Sequence, residues 1–239
     1  MKKQKTPWWG NFKDFFLLFL AVFCGFLAEN YRESLSNKTI EKEFMISLVE
    51  DLKSDTASLK SYMVFKRTKG HLMDSLATML VSKQRNEYGN QLYFLARQVF
   101  NESPFVYSDG TIQQLKNAGN LRLIKKRVVV DELLKYEKKV KVLEDWDEND
   151  NRTKTTFREI AGSVFDSQKL NSTMDAQMNF IIPKDNPQLI TDDFHTLNEL
   201  AFQIHYLSKM CLGNSSRAAS LRADAENLIK LIQEEYKLD

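Results

Sequence analysis

Apolar residues recur at helical spacing through most of the chain, and short polar breaks separate these stretches. Between residues 37 and 84 the intervals are mostly three and four, so the apolar side chains share one face of a helix. They are Met45, Leu48, Val49, Leu52, Leu59, Tyr62, Met63, Leu72, Met73, Leu76, Met79 and Leu80. The charged residues between them, from Glu41 to Asp55, predict a solvated face. We expect one long helix to about Gln84, with Gly70 as its weak point.

Shorter helical patterns follow a turn at residues 86–90. One covers residues 92–100 and ends before Pro104, since proline disfavours helix in the residue preceding it. A small helix is predicted over residues 111–117, with Thr111 and Gln114 as a capping box and Gly119 at its carboxyl end.

Two further long helices are predicted, from about Lys126 to Gly162 and from about Thr191 onwards. Residues 213–216 favour a bend or break in the last one. Residues 179–182, within the irregular stretch between the two helices, favour a short strand or an extended arm. The predicted fold class is all-α: an amino-terminal transmembrane helix followed by an antiparallel bundle of long helices.

The amino terminus contains the longest apolar run, the 14 uncharged residues Phe15–Ala28. As a helix this run is about 21 Å long, shorter than the roughly 30 Å core of a bilayer. Aromatic residues extend it, and a helix from Trp8 to Tyr31 would measure about 36 Å. We therefore predict a transmembrane helix over residues 15–31. A cleaved signal peptide fits less well because no small-x-small site follows Ala28, and a buried core helix is the remaining alternative.

Charge decides the predicted orientation. The 239 residues carry a net charge of +2, of which residues 1–14 hold +3, leaving −1 for residues 29–239. A nearly neutral body argues against nucleic acid as a partner. The lysine bias predicts a cytoplasmic basic tail (residues 1–14) and a periplasmic helical domain (residues 32–239), joined by a single-pass anchor in a bacterial inner membrane. The lipid bilayer, through residues 15–31, and a protein partner or self-association are the expected contacts. No intramolecular disulfide is expected between Cys24 and Cys211.

Residues that could bind metal are sparse. His195 and Glu199 lie four apart on one helix face, with Asp192 one turn earlier, and could supply ligands. A di-iron bundle needs paired Glu-x-x-His motifs, which are absent. The acidic run at residues 145–151 resembles a calcium loop, but Asp150 and Thr156 stand where glycine and glutamate are required. We therefore interpret the histidine set as surface or hydrogen-bonded core residues and the acidic run as a solvated helix face, and expect neither cofactor nor metal.

One further motif is a candidate for partner binding. Gly119, Asn120 and Arg122 form a turn between two helices, and Arg122 would be partly buried if this turn packed inward. A buried arginine needs a carboxylate partner, so this residue either fixes the turn or recognises an acidic ligand. The basic run at residues 122–141 is diluted by acids and predicts a charged face that could meet lipid headgroups or a partner.

Parts of the sequence resemble a family of uncharacterised, membrane-anchored helical proteins of Bacteroidetes. The resemblance lies in the apolar run leading into residues 29–33 (ENYRE), in residues 43–52 (EFMISLVEDL) and in residues 115–124 (LKNAGNLRLI). It covers roughly residues 12–140. It implies a single amino-terminal membrane helix and an extracytoplasmic helical domain, and it implies no activity.

No motif identifies a reaction. The sequence lacks Gly-x-Ser-x-Gly, the Walker loop and Gly-x-Gly-x-x-Gly. We therefore expect a membrane-anchored, non-enzymatic interaction, scaffold or sensing module, with no catalytic residues. One alternative is a tethered metal-binding or hydrolytic helical-bundle enzyme centred on His195 and Glu199. Another is a receptor ectodomain that dimerises through its long first helix. That helix could be partly a coiled coil, but its heptads are irregular, so a bundle helix is the preferred interpretation.

Overall fold

The computed structural model describes residues 8–117 and 119–238, with side chains from Phe12 onwards. Within these ranges the fold is all-α. Its helices are α1 (Trp8–Leu80), α2 (Gly89–Gln98), α3 (Gly110–Asn117), α4 (Arg127–Ala161), α5 (Ser167–Asn171) and α6 (Phe194–Tyr236). Turns of 3₁₀ helix lie at Arg85–Glu87 and Asn120–Leu123. The predicted long helices are confirmed, with boundaries within a few residues.

Three long helices form the bundle, and their directions follow from contacts near their ends. Helix α6 runs antiparallel to α1, since Tyr236 donates to Glu41 at one end and Arg85 pairs with Asp192 at the other. It also runs antiparallel to α4, as the ion pair between Lys126 and Glu235 shows. Helices α1 and α4 are therefore parallel to each other, and α2 and α3 lie along the return path between them.

Carboxylates of α1 hold this return path in place by accepting hydrogen bonds from its backbone amides. The Asp51 carboxylate accepts a hydrogen bond from the Thr111 amide at 3.0 Å, at the start of α3. The Glu41 carboxylate accepts one from the Lys125 amide at 2.7 Å, just before α4. The solvated face predicted from Glu41 to Asp55 is wrong for both of these end residues, which are buried. Thr111 lies inside α3, so the predicted capping box is also wrong, and α1 supplies the partner of its amide.

Glycines have different roles in the long helices. Helix α1 continues through Gly70, where an added Cβ would lie 2.8 Å from Leu212 Cγ of α6, so this glycine permits close helix packing. Helix α6 continues through Gly213, and the predicted break there is wrong. Gly119 has φ +65° and ends the α3 region in the left-handed conformation, as predicted.

The connection from α4 to α6 is mostly irregular. Of the two alternatives predicted for residues 179–182, no strand forms, because in the described residues only the bridge between Met174 and Phe180 is found there, and the segment is an irregular arm. Helix α6 begins where the Asp193 carboxylate accepts a hydrogen bond from the Thr196 amide at 2.9 Å.

Apolar side chains of the bundle form two clusters. The proximal cluster contains Met45, Leu48, Leu59, Leu133, Val140, Leu221 and Ile232 with their neighbours. The distal cluster contains Met73, Leu76, Leu92, Tyr93, Phe157, Phe165, Leu200 and Cys211 with their neighbours. Both clusters are crossed by α1, α4 and α6.

The predicted transmembrane anchor is wrong. Along the described residues, no helix is both long enough and sufficiently apolar to cross a membrane. The uncharged run covers only about 21 Å, and extending it to Trp8–Tyr31 adds Lys13, Asp14 and Glu29 to the same helix. The single-pass inner-membrane location, with a cytoplasmic tail and a periplasmic body, depended on this anchor and is corrected with it. Residues 1–7 of the tail lie outside the described ranges.

Candidate functional site

A layer of charged side chains separates the proximal and distal clusters. Three members are lysines and three are acids, so their formal charges balance. Four of the six are less than a tenth exposed. We call this set the charged layer: Lys66 and Lys69 of α1, Glu102 after α2, and Asp147, Asp150 and Lys154 of α4.

Lys66 is at the centre of the charged layer and is 2% exposed. Its Nζ lies 2.7 Å from Asp147 Oδ1 and 2.8 Å from Asp150 Oδ2. The Tyr62 hydroxyl donates to the same Asp147 oxygen at 2.6 Å, and the Asn214 amide donates to it at 3.2 Å. The Asp147 carboxylate therefore joins α4 to both α1 and α6.

Lys69 and Lys154 meet at Glu102. Lys69 Nζ donates to Glu102 Oε1 at 2.6 Å and to the Asn101 carbonyl at 2.6 Å. Lys154 forms an ion pair with the same carboxylate. Glu102 thus fixes the chain after α2 to two long helices.

The pKa values show which charges the layer retains. Desolvation acts to lower the pKa of Lys66, but Asp150, Asp147 and Glu102 outweigh it and raise that pKa above its ordinary value. Desolvation lowers the pKa of Lys69, and Glu102 offsets this only in part. Burial acts to raise the pKa of Glu102, yet the neighbouring lysines bring it below its ordinary value. The ammonium of Lys66 and the carboxylate of Glu102 are therefore held in their charged forms.

Asp150 of the charged layer and the neighbouring Cys211 are buried groups whose pKa values are raised. Asp150 is fully buried, and its Oδ1 has no hydrogen-bond partner among the described atoms. Desolvation raises the pKa of Asp150 despite the nearby Lys66. Burial, and then the charge of Asp150, raise the pKa of the Cys211 thiol to about 11. Cys211 is thus a protonated core residue and not an activated nucleophile.

The sequence carried a signal for this layer that the solvated-face interpretation missed. In α4 the stripe Val140, Leu143, Asp147, Asp150, Lys154 and Phe157 has alternating intervals of three and four. In α1 the same intervals connect Leu59, Tyr62, Lys66, Lys69, Met73 and Leu76. Charged residues therefore occupy core positions of both stripes, and the solvated face predicted for residues 145–151 is wrong for Asp150. The stretch is also continuous helix, so it forms no calcium loop.

The predicted turn at Gly119, Asn120 and Arg122 lies at the surface. Arg122 is exposed, so its expected partial burial is wrong. What holds the turn is the hydrogen bond between the Lys125 amide and Glu41, together with the buried Ile124. A partner-binding role for the three residues remains a prediction.

The histidine candidates do not converge on a site. His195 and Glu199 are exposed at the start of α6, and Asp192 forms an ion pair with Arg85 at 2.7 Å. His205 lies on another face, 3.2 Å from Asp74. Across the residues that the structure describes, no group of three or more His, Cys, Asp or Glu side chains is placed to hold a metal ion.

Three residues of the basic run, Lys126, Lys135 and Lys139, form ion pairs among the described residues. Lys126, just before α4, pairs with Glu235 of α6, and Lys139 of α4 pairs with Asp224 of α6, both at 2.7 Å. Lys126 and Lys139 therefore connect the two helices at the bundle surface.

The first part of α1 extends beyond the bundle. Close packing of α1 begins at the buried Glu41, and residues 12–40, which we call the amino-terminal segment, are nearly all exposed. As helix these residues span about 43 Å. The large apolar side chains exposed there are Phe12, Phe15, Phe16, Leu17, Leu18, Phe19, Leu20, Val22, Phe23, Phe26, Leu27, Tyr31, Leu35 and Ile40.

Comparison of the chain with protein-family models, with curated proteins and with solved structures finds no match. The resemblance to membrane-anchored helical proteins of Bacteroidetes therefore stays a prediction.

Proposed function

We propose that the protein is a non-enzymatic interaction module, in which a helical bundle carries an apolar helix that associates with a partner protein. The amino-terminal segment is the part of the molecule that would make this contact. The bundle would position the segment and support it.

The exposed phenylalanines of the amino-terminal segment carry this proposal. Phe12, Phe16, Phe19, Phe23 and Phe26 have exposed fractions from 46% to 62%. Burying an aromatic side chain removes about 150–250 Å² from water, and exposed apolar patches beyond a few hundred Å² mark interaction surfaces. Five such side chains within four helical turns exceed that size.

The charged layer supports a structural role for the bundle. Its lysines and acids neutralise one another between two apolar clusters, and each contact joins two elements. A catalytic acid or base needs a proton-accepting or proton-donating group that can reach a substrate. The lysines and carboxylates of the layer, of which the three lysines and Asp150 are buried, are instead directed at one another.

Photo-crosslinking from single positions in the full chain, in cells, tests this function. A photoreactive residue in place of Leu27 probes the amino-terminal segment, and one in place of Val64 is the control. Both lie on α1 and have similar exposed fractions, 50% and 56%. We expect protein adducts from position 27 and far fewer from position 64. Equal yields, or no protein adduct from position 27, would contradict the proposal.

A further inference from the structure

Five of the six phenylalanines of the amino-terminal segment follow a regular heptad. Nine successive positions have alternating intervals of four and three: Phe12, Phe16, Phe19, Phe23, Phe26, Asn30, Glu33, Asn37 and Ile40. All nine lie in the continuous helix α1, so they form one seam along its surface. In coiled-coil notation Phe16, Phe23, Asn30 and Asn37 occupy a positions, and the others occupy d positions.

We propose that the partner of the amino-terminal segment is a second copy of this chain, and that the two segments form a parallel, two-stranded coiled coil. The proposal rests on the interaction function argued above and specifies its partner and geometry. The seam from Phe12 to Asn30 would be the closely packed part.

The seam has enough apolar surface for such a pair. Its first five positions are all phenylalanine, and each is at least 46% exposed. Ten half-exposed aromatic rings from two chains would remove on the order of 750–1,250 Å² from water, which reaches the lower end of the range for a standard specific interface.

The asparagines argue for a parallel, in-register pair. An Asn at an a position pairs with the same residue of a parallel partner, and it specifies two strands and one register at some cost in stability. In such a pair Asn30 would meet Asn30 of the second copy. In an antiparallel or shifted pair, Asn30 would face apolar seam residues instead and lose its hydrogen-bond partner.

The carboxyl end of the seam indicates where the two helices separate. Glu33 at a d position would face its counterpart, and two like charges in a seam repel. Eight residues later α1 reaches the buried Glu41, where each bundle begins. Separation of the helices near Glu33 would leave room for two bundles side by side.

Disulfide trapping in the full chain tests the geometry. In a Cys24→Ser background, Phe19→Cys places a thiol in the seam, and Ala21→Cys places one on the opposite side of the helix as a matched control. We expect at least a fivefold higher yield of interchain disulfide from Phe19→Cys under mild oxidation. Equal yields from the two variants would overturn the seam.

Mixing two further variants separates parallel from antiparallel pairs. Phe12→Cys chains mixed with Phe26→Cys chains should give only like-with-like disulfides in a parallel pair, whereas mixed disulfides would show an antiparallel one.

Sedimentation of the unmodified chain should give two copies, and a monomer, trimer or tetramer would overturn the inference. If position 27 crosslinks only to a different protein and Phe19→Cys forms no disulfide, this inference fails while the interaction function stands. If position 27 gives no crosslink to protein and Phe19→Cys gives no interchain disulfide, both the coiled coil and the proposed interaction function fail.

Discussion

At the scale of single residues, buried acids determine how the return path is held against α1. The Asp55 carboxylate is 1% exposed, and it accepts hydrogen bonds from the Ser108 amide and the Tyr136 hydroxyl, both at 2.8 Å. Burial raises the pKa of Asp55 from 3.8 to about 6, although both hydrogen bonds oppose the rise. The folded chain therefore binds this proton more tightly than the unfolded chain.

The sign of this linkage gives a pH-dependent prediction. The contribution of Asp55 to stability is fully present below about pH 4 and is lost as the pH rises through about 6. Asp55→Asn cannot ionise, so the free energy of unfolding of the native chain minus that of the variant should fall by on the order of 2 kcal/mol from pH 4 to pH 7. Urea unfolding at several pH values measures this difference. The exposed Glu50→Gln control should give a curve parallel to that of the native chain, and a difference for Asp55→Asn that does not change with pH would contradict the prediction.

Lys66 provides a second prediction at this scale. Lys66→Met leaves the buried Asp150 and its neighbour Asp147 without their central cation. Breaking a buried ion pair from one side costs about 3–5 kcal/mol, whereas removing both partners costs much less. We expect Lys66→Met to lower the free energy of unfolding by that amount and Lys66→Met with Asp150→Leu to recover much of it. Urea unfolding of the two variants gives both values.

The control for Lys66 is a lysine in an exposed pair. Lys135 contacts Glu132 at 2.6 Å, and both side chains are largely in solvent. Lys135→Met should change stability little, because solvent screens such pairs. A Lys66→Met variant as stable as this control would show that the charged layer contributes nothing to stability.

At the scale of elements, the start of α2 is fixed by the loop that precedes α6. An added Cβ on Gly89 would lie 2.2 Å from the Pro187 carbonyl oxygen and 2.7 Å from Asn186 Oδ1. The Asn186 amide also donates to Asn90 Oδ1 at 2.8 Å, so backbone and side chains interlock at this contact.

This contact predicts opposite effects of two glycine substitutions. Gly89→Ala should lower the free energy of unfolding by about 1–3 kcal/mol, because the loop backbone has to move. Gly162 has helical φ −63° and nothing within 4 Å of an added Cβ, so Gly162→Ala should be neutral or slightly stabilising. Thermal unfolding of both variants measures the contrast, and equal effects would contradict it.

The helices themselves were largely predictable from local sequence. Intervals of three and four residues identified α1, α4 and α6, and Gly119 identified a helix end, because these signals depend on neighbours in the chain. The continuity of α6 through Gly213 was not predictable, because packing of the surrounding helix outweighs the low intrinsic helix propensity of glycine.

At the scale of the whole molecule, two apolar clusters share the same three long helices across a charged layer. Because each long helix passes through both clusters, we expect the bundle to unfold as one cooperative unit. The charged layer would then fix the register of the helices and not divide the bundle into two domains.

A cavity in the distal cluster tests this expectation. Leu76 is fully buried there, and Leu76→Ala should cost about 2–5 kcal/mol. Trp146 lies near the charged layer, with Arg217 stacked 3.9 Å from its ring, and becomes a single fluorophore when Trp8 and Trp9 are replaced by Phe. Trp146 fluorescence and far-ultraviolet circular dichroism should report the same lowered midpoint. A Trp146 transition that stays at its original midpoint would show that the clusters unfold separately.

The sequence by itself determined the helical fold class and most of the ends of the long helices, because periodicity and helix ends are local properties. Only the tertiary structure decided which charged residues are buried. Lys66 and Asp150 lie on different helices, 84 residues apart in the sequence. Taken alone, each looks like a charge exposed to solvent, and only the packing of α1 near α4 brings the two together. The exposure of Arg122 and the capping of α3 by Asp51 also depend on contacts between distant segments. The membrane anchor was wrongly predicted for a different physical reason. The aromatic residues that appeared to extend the apolar run lie beyond Lys13 and Glu29, and the uncharged part alone is only about 21 Å long.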